Sequence, residues 1–310
     1  RTPTMMNEYP DGFRAGFVSV VGRPNAGKST LMNAMVGTKI AITADQPETT
    51  RRVIRGIVHR DDGQLILVDT PGMHRPRTLL GERLNDMVGQ ALSDVDAVVL
   101  CMPADEPAGP GDRYILEAVA KTGAPIFAVL TKTDRVTRDA LAERIVEVSQ
   151  MYEFAEIVPV SAVAGEQVEL LADLLIDRMP ESPPLYPKDT ITDETEEEFI
   201  AELIREAALV GVREELPHSI AVLVEEMNER PRKKGDDRPP VMAINAHLFV
   251  ERPSQKGIVI GKGGRRMKRV GQQAREGIER LLGQPVYLDL HVKVAKEWQR
   301  DPKMLGRLGF

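Results

Sequence analysis

The chain contains a single cysteine among its 310 residues, so it cannot form an internal disulfide bond. One cysteine fits a reducing compartment, and an apolar run around Cys101 predicts a buried structural thiol rather than a nucleophile. No apolar run approaches the roughly 20 residues that a membrane span needs. The first residues lack the apolar core of a secretion signal, and we expect residues 1–12 to form a flexible tail. These absences predict a cytoplasmic protein.

Positive charge is scarce in most of the chain and concentrated near its end. Residues 251–310 contain 14 Lys and Arg against 6 Asp and Glu, a net charge of +8, whereas the whole chain carries −6. The other 250 residues therefore carry −14. This distribution predicts that only the C-terminal part meets a polyanion, with a solvated charged face as the alternative.

Residues 13–180 alternate short apolar strands with amphipathic helices, which predicts an α/β domain with a mostly parallel six-stranded sheet. The predicted strands are Phe17–Val21, Val53–His59, Leu65–Asp69, Ala97–Met102, Ile126–Thr131 and Ile157–Val160. Helical patterns occupy Leu79–Ser93, Gly111–Lys121, Thr137–Met151 and Gln167–Met179. In such sheets, ligands bind at the carboxyl ends of the strands.

A proline-rich run separates this domain from a second one. Four prolines lie within Pro180–Pro187, and we expect residues 181–192 to be a stiff linker. The remainder, residues 193–310, reads as an α+β domain. Its predicted elements are a helix from the acidic cluster Asp193–Glu198 through Arg213, strands Ser219–Met227 and Val241–Val250, a helix–loop–helix pattern and strand Val286–Val294.

The most informative motif follows the first strand and matches G-x-x-x-x-G-K-[ST] at residues 22–29, here called the phosphate loop. Its backbone N–H groups and the following helix N-terminus favour phosphate oxygens. We expect Lys28 to reach the outer phosphates as a catalytic group and Ser29 to ligate Mg²⁺. The predicted nucleotide contacts here are Gly22, Arg23, Pro24, Asn25, Ala26, Gly27, Lys28, Ser29 and Thr30.

Two further patterns predict how the γ-phosphate and Mg²⁺ are held. Asp69-Thr70-Pro71-Gly72 ends a strand, where Asp69 can hold Mg²⁺ through water and the Gly72 N–H can approach the γ-phosphate. In Gln46–Arg51, a threonine can complete the Mg²⁺ shell only when the γ-phosphate is present, and we favour Thr50 over Thr49. An ordinary threonine-rich turn is the alternative for that segment.

Two loops predict recognition of guanine. At residues 131–134, here called the base loop, Asp134 can accept from the ring N–H and the exocyclic amine of guanine, a donor pair that adenine lacks. Lys132 is expected over the base plane. After the last strand, backbone N–H groups of Ser161 and Ala162 can bond the guanine carbonyl.

Together these loops resemble those of the translation-factor branch of P-loop GTPases. That family usually has asparagine where this chain has Thr131, so nucleotide affinity is expected to be lower. Ras-like members carry a glutamine after the glycine equivalent to Gly72, and this chain has Met73, which implies slow intrinsic hydrolysis. In relatives with a hydrophobic residue there, an asparagine placed as Asn25 helps to bind a catalytic potassium ion. Potassium dependence is therefore a hypothesis for this chain.

The C-terminal domain carries G-x-x-G at residues 261–264, the G-x-x-G loop, between two helical stretches. In the KH fold this loop clamps the backbone of about four single-stranded nucleotides. The order helix, strand, strand, helix, G-x-x-G, helix, strand is that of a type II KH domain. Because aromatic residues are scarce here, base stacking is expected to be secondary; a glycine-rich turn with a solvated basic face is the alternative. The predicted RNA contacts are Ile260, Gly261, Lys262, Gly263, Gly264, Arg265, Arg266 and Lys268.

A GTPase domain followed by one type II KH domain resembles the Era family of bacterial ribosome-assembly GTPases. The local matches include GRPNAGKSTLMNA, QPETTR, DTPGMH, VIGKGG and VKVAKEW. The resemblance implies a monomer that binds GTP or GDP with Mg²⁺, binds the 3′ end of small-subunit ribosomal RNA in its GTP state, and assists small-subunit assembly. It also implies peripheral association with the inner face of the cell membrane.

Two other functions remain open at this point. The chain could be an RNA-binding scaffold whose GTP site is structural and hardly turns over, since Met73 replaces glutamine. A small-molecule kinase that uses a nucleoside triphosphate is the third possibility, but the guanine-specific base loop argues against it.

Overall fold

The computed structural model describes residues 9–40, 54–69, 79, 80, 82, 83, 86, 89, 92, 94–212 and 216–310. It divides into two compact units: the second contains Glu194–Phe310 and, of the earlier described residues, 79, 80, 82 and 83, and the first contains the other described residues up to Asp193. In the part of the chain that is described, no helix has both the length and the apolar character needed to cross a membrane.

The first unit is built on a six-stranded sheet. Its strands are β1 (Arg14–Gly22), β2 (Ile54–His59), β3 (Gly63–Asp69), β4 (Ala97–Pro103), β5 (Ile126–Thr131) and β6 (Glu156–Pro159). They lie in the order β2-β3-β1-β4-β5-β6, and all neighbours are parallel except β2 and β3. The central strands β1, β4 and β5 are rich in β-branched residues and buried on both faces, as expected for a parallel sheet. The predicted α/β fold is confirmed.

Helices cover both faces of this sheet. They are α1 (Lys28–Val36), α2 (Pro110–Ala120), α3 (Arg138–Ser149) and α4 (Val168–Ile176). One hydrophobic core includes residues of α1 and α4, and the other includes residues of α2 and α3. Within the predicted helix Leu79–Ser93, the described residues Leu79, Leu80, Glu82, Arg83, Asp86 and Gly89 are helical. Cys101 is fully buried in β4, in agreement with its predicted structural role.

The second unit contains three strands and their covering helices. The elements are α5 (Glu196–Leu209), α6 (Leu216–Ser219), β7 (Ala221–Glu229), β8 (Met242–Val250), α7 (Pro253–Ile260), α8 (Arg265–Leu282), β9 (Val286–Val294) and α9 (Pro302–Leu308). The sheet order is β7-β8-β9, with β7 antiparallel and β9 parallel to β8. This is the element order that the sequence predicted for a type II KH domain.

Local sequence explains the ends and faces of the two long helices of this unit. A capping box starts α5: the Thr195 hydroxyl accepts from the Glu198 N–H, and the Glu198 carboxylate accepts from the Thr195 N–H. Helix α5 ends at Leu209, four residues before the predicted Arg213, because Gly211 adopts a left-handed conformation at φ 72°. Helix α8 buries Val270, Ala274 and Ile278, and all of its basic residues except the half-buried Arg266 are exposed.

Residues 181–193, here called the arm, lie along the first unit. The Ile57 N–H donates to the Ile191 carbonyl at 2.9 Å, so the arm adds to the edge of β2. The buried Gln64 side chain accepts from the N–H groups of Leu185 and Tyr186 and donates to the Tyr186 carbonyl. The segment predicted as a linker is thus fixed to the first unit. Its backbone groups form hydrogen bonds with the edge strand β2 and with the Gln64 side chain.

Candidate nucleotide site and RNA interface

The phosphate loop connects β1 to α1 at the carboxyl edge of the sheet. The loop starts at a glycine because the backbone lies close to β4 here, and a Cβ on Gly22 would lie 2.8 Å from the Cys101 carbonyl oxygen. Asn25 and Gly27 both take positive φ, at 65° and 88°. This succession of left-handed residues curls the backbone around the N-terminus of α1, where N–H groups point outward.

The phosphate loop carries positive charge, and no carboxylate in the first turn of α1 opposes it. Lys28 is buried, and its Nζ donates to the carbonyls of Gly22 and Arg23 at 3.1 and 3.4 Å. The first turn of α1 contains no acidic residue. Helix N–H groups and a buried lysine can donate hydrogen bonds to phosphate oxygens. The Ser29 hydroxyl oxygen is a suitable ligand for Mg²⁺. The loop therefore fits a nucleotide.

Arg23 anchors the phosphate loop to α2. Its Nε donates to Asp112 at 2.8 Å, and one terminal nitrogen donates to Glu106 at 3.1 Å. Asp112 is fully buried and also accepts from the Gly109 N–H, which starts α2. Although burial lowers the pKa of Arg23, hydrogen bonds and charges from Asp112 and Glu106 outweigh it, and the pKa is raised. Arg23, predicted as a nucleotide contact, thus makes contacts inside the protein.

The base loop holds the phosphate loop from the other side. The buried Thr131 hydroxyl donates to the Ala26 carbonyl at 2.7 Å, and Lys132 Nζ donates to the Asn25 carbonyl at 2.8 Å. Lys132 itself takes a left-handed conformation at φ 59°, which turns the chain out of β5. These two hydrogen bonds tie the phosphate and base subsites together.

Asp134 is oriented by the loop after β6. The Ser161 hydroxyl donates to Asp134 Oδ1 at 3.0 Å, and Ser161 is itself fully buried. Asp134 is exposed, so the carboxylate is accessible to a base. The sequence assigned Ser161 a backbone role, whereas the structure adds that its side chain fixes the carboxylate.

A groove of about 600 Å³ lies between the outer face of α1 and the loop after β6. It brings together two predicted contacts, Thr30 and Ala162, which are 132 positions apart in the sequence. Asn33, Gly37 and Gly165 also line it. Two residues predicted to contact the nucleotide therefore line a common groove.

Several predicted residues lie outside the described part of the chain. These are Thr50 with its segment Gln46–Arg51, the residues Thr70, Pro71, Gly72 and Met73, and the side chain of Asp69. The Asp69 backbone ends β3 beside Val20 of β1, at the same sheet edge as the phosphate loop. Their ligand roles therefore stay predictions.

The G-x-x-G loop joins α7 to α8 and is more open. Gly261, Gly263 and Gly264 all have positive φ, between 62° and 74°. A Cβ on Gly263 or Gly264 would meet nothing within 4 Å, so the outer side of the loop is accessible. Lys262, Arg265 and Lys268 are exposed, and the first turn of α8 has no acidic residue. The site fits an anionic backbone.

Arg266, predicted as an RNA contact, makes two contacts inside the protein. One terminal nitrogen donates to the carbonyls of Ala208 and Val210 at the end of α5, at 3.1 and 2.8 Å. Burial, and to a lesser extent the charge of Arg269, lowers the pKa of Arg266. Ile260 is half-buried at the end of α7.

Sequence reasoning missed Asp112 and the internal contacts of Arg266. The position of Asp112 after Gly109-Pro110 could have suggested a helix start, but not its pairing with an arginine 89 residues earlier. For Arg266, helical spacing offered a signal, because Val270, four residues later on the same helix face, is buried.

Family models match both units. The model of a 50S ribosome-binding GTPase matches residues 17–132, and that of a KH domain matches residues 215–299. Among curated proteins, GTPase Era of Nocardioides sp. is 59% identical over 303 residues, covering 96% of both chains. GTPase Era of Streptomyces coelicolor is 59% identical over 305 residues, covering 96% of this chain and 95% of its own.

Two solved structures share the whole fold. Era in complex with MgGDPNP and nucleotides 1506–1542 of 16S ribosomal RNA has a TM-score of 0.90 and 36% identity, covering 96% of this chain and 99% of its own. A variant of Aquifex aeolicus Era bound to GDP and AlF₄⁻ has a TM-score of 0.89 at 36% identity, with the same coverage.

Proposed function

We infer the function of this chain from its family, since it belongs to the Era GTPases. It binds GTP and GDP with Mg²⁺ and hydrolyses GTP to GDP and phosphate. Its KH domain binds the 3′ end of small-subunit ribosomal RNA, and the protein assists assembly of the small ribosomal subunit. The nucleotide state controls the RNA binding.

One observation carries the nucleotide half of this proposal. Thr131 and Lys132 join the base loop to the carbonyls of Ala26 and Asn25 in the phosphate loop, and Ser161 orients Asp134. A preorganised pair of subsites fits a ligand that has a guanine at one end and phosphates at the other. Because Asp134 accepts from two donors of guanine, adenine would leave an acceptor unpaired.

In the chemical step we assign Lys28 and the phosphate-loop N–H groups to stabilise the charge that develops on the phosphates. Ser29, Thr50 and Asp69 would hold Mg²⁺, whose charge adds to that stabilisation. The Gly72 N–H would approach the γ-phosphate. Met73 has no group to orient water, so the intrinsic rate is slow.

The RNA half is supported by the exposed glycines and cations at the start of α8. Gly263 and Gly264 leave room for a phosphate, and Lys262, Arg265 and Lys268 supply charge. Single-stranded RNA fits this surface better than a helix does, because a G-x-x-G loop grips one backbone.

Binding of radiolabelled 16S ribosomal RNA 3′-end fragment, measured with a GTP analogue and with GDP, tests the switch. We expect tight binding with the analogue and at least about tenfold weaker binding with GDP. Equal binding in both states would contradict the switch. Single-turnover GTP hydrolysis with and without this RNA separates the switch from an RNA-binding scaffold. That alternative rests on Met73, and no cleavage in either condition would favour it.

We further propose that Asn25 helps to bind a potassium ion during hydrolysis. Its exposed side chain, on a left-handed residue at the mouth of the phosphate loop, supports this role. Hydrolysis is expected to be about tenfold faster in potassium than in sodium buffer, because the cation adds to the charge stabilisation. Asn25→Ala should remove the difference; equal rates of the unaltered chain in both salts would exclude the ion.

The location of the protein is a further part of the proposal. Family resemblance supports a cytoplasmic monomer with peripheral association at the inner face of the cell membrane. Flotation with vesicles of anionic lipid, and light scattering for the mass, test these two points; a protein that stays unbound in every gradient is not membrane-associated.

A further inference from the structure

Arg266 connects two elements that the sequence separates by more than fifty residues. Its guanidinium donates to the carbonyls of Ala208 and Val210, at the C-terminus of α5. The last carbonyls of a helix have no partner within the helix, and their partial negative charge favours a cation. Arg266 therefore caps α5 from the first turn of α8.

The backbone of Arg266 also sets the shape of the G-x-x-G loop. A Cβ on Gly261 would lie 2.6 Å from Arg266 Cβ and 3.2 Å from its backbone nitrogen. Gly261 has φ 74° and ψ 172°, a region that is essentially restricted to glycine. The first glycine of the loop is thus packed directly against Arg266.

The neighbouring cations differ from Arg266 in their surroundings. Arg265 and Lys268 are exposed, and they are free to follow an RNA backbone. Arg266 is half-buried, and two hydrogen bonds direct its guanidinium toward the end of α5. A side chain held in this way adds rigidity to the loop rather than a phosphate contact.

We propose that Arg266 is a positioning residue for RNA binding: by tying the start of α8 to the end of α5, it holds the G-x-x-G loop in the shape that receives a phosphate backbone. This inference rests on the proposed RNA binding, but the rigidity of the loop is measurable without RNA.

Amide hydrogen exchange of the 310-residue chain without RNA tests the positioning directly. In Arg266→Gln, exchange across residues 261–264 is expected to rise about tenfold, since a charged hydrogen-bond pair is lost. Arg265→Gln is the matched control and should leave this exchange unchanged. Unchanged exchange in Arg266→Gln would overturn the proposal. If the glutamine variant does not fold, Arg266→Lys replaces it in this test. Lysine keeps the cation at the end of α5, so exchange across residues 261–264 should rise by less than about tenfold.

The salt dependence of RNA binding separates positioning from contact. For the ribosomal RNA fragment with the GTP analogue bound, Arg265→Gln should reduce the slope of log K against log salt by about 0.7, the value for one lost phosphate contact on a single strand. Arg266→Gln should weaken binding about tenfold with an unchanged slope. A slope reduced as in Arg265→Gln would assign Arg266 to a phosphate and overturn the inference. If the unaltered chain binds no RNA, the proposed function fails, while hydrogen exchange still decides the role of Arg266.

Discussion

The phosphate loop and the G-x-x-G loop are both glycine-containing turns that lead into a helix N-terminus, yet the protein supports them differently. The phosphate loop is held on several sides, by Arg23 to α2 and by Thr131 and Lys132 to the base loop. The G-x-x-G loop is held from beneath by Arg266 and faces open space at Gly263 and Gly264. A small ligand of fixed shape suits an enclosed and rigid cradle, whereas a long polymer needs a surface that it can cross.

The largest effect should come from replacing Lys28 of the phosphate loop by alanine. Lys28→Ala is expected to slow GTP hydrolysis by about 10²–10³-fold, because a buried cation that faces the phosphates is lost. Lys262→Ala, in the open loop, is the matched control and should leave hydrolysis unchanged while weakening RNA binding a few-fold. Single-turnover hydrolysis and RNA titration measure both. Similar losses of hydrolysis in both variants would contradict the contrast between the loops.

Guanine specificity should depend on Asp134. Asp134→Asn is expected to weaken GTP binding about 100-fold and to improve binding of xanthosine triphosphate, which presents a carbonyl where guanine has its amine. The fold should persist, because the amide oxygen still accepts from Ser161. Fluorescent nucleotide titration measures the effect, and Asp139→Asn, at an exposed site on α3, is the control. Unchanged preference for GTP would exclude Asp134 as the base acceptor.

The G-x-x-G loop should tolerate an added side chain at Gly263, on its outer side, better than at Gly261, which packs against Arg266. Gly261→Ala is expected to lower the free energy of unfolding of the second unit by about 2–3 kcal/mol, since the left-handed backbone and the contact with Arg266 both resist a Cβ. Gly263→Ala should lower it by only about 1 kcal/mol, as nothing lies within 4 Å. Urea unfolding compares them, and equal losses would show that both sides of the loop are similarly constrained.

The smallest effect is expected at Thr131. Thr131→Val keeps the shape of the side chain and removes the hydroxyl that donates to the Ala26 carbonyl, so GTP affinity should fall about fivefold, or about 1 kcal/mol. Nucleotide titration checks this value. A loss as large as that of Asp134→Asn would mean that Thr131 contacts the base itself.

Much of the fold was readable from local sequence. Strands β1, β3 and β4 extend at most three residues beyond their predicted ends, β5 has the predicted ends, and β6 lies one residue earlier. Strand β2 begins at Ile54, and the predicted first residue, Val53, lies outside the described residues. The agreement arises because β-branched runs bounded by turns mark buried strands. The fold and the family are confirmed. The phosphate loop was recognisable because its chemistry depends on contiguous residues.

Contacts between distant residues could not be read in this way. Arg23 meets Asp112 across 89 positions, and Arg266 meets Ala208 across 58. A basic residue beside a glycine loop looks the same in sequence whether it contacts a ligand or caps a neighbouring helix. Which role such a residue has depends on tertiary packing. Here the packing places the end of α5 within reach of Arg266 and leaves the neighbouring Arg265 exposed.

The arm along β2 has a consequence for how the first unit can be isolated. Strand β2 is at the edge of its sheet, and the arm covers part of that edge through Ile191 and Thr192. A fragment that ended at Pro180 would bare those backbone groups and would also leave the buried amide of Gln64 without Leu185 and Tyr186. Uncovered strand edges pair with other chains. We therefore expect a fragment that ends at Pro180 to self-associate more readily than one that ends at Asp193.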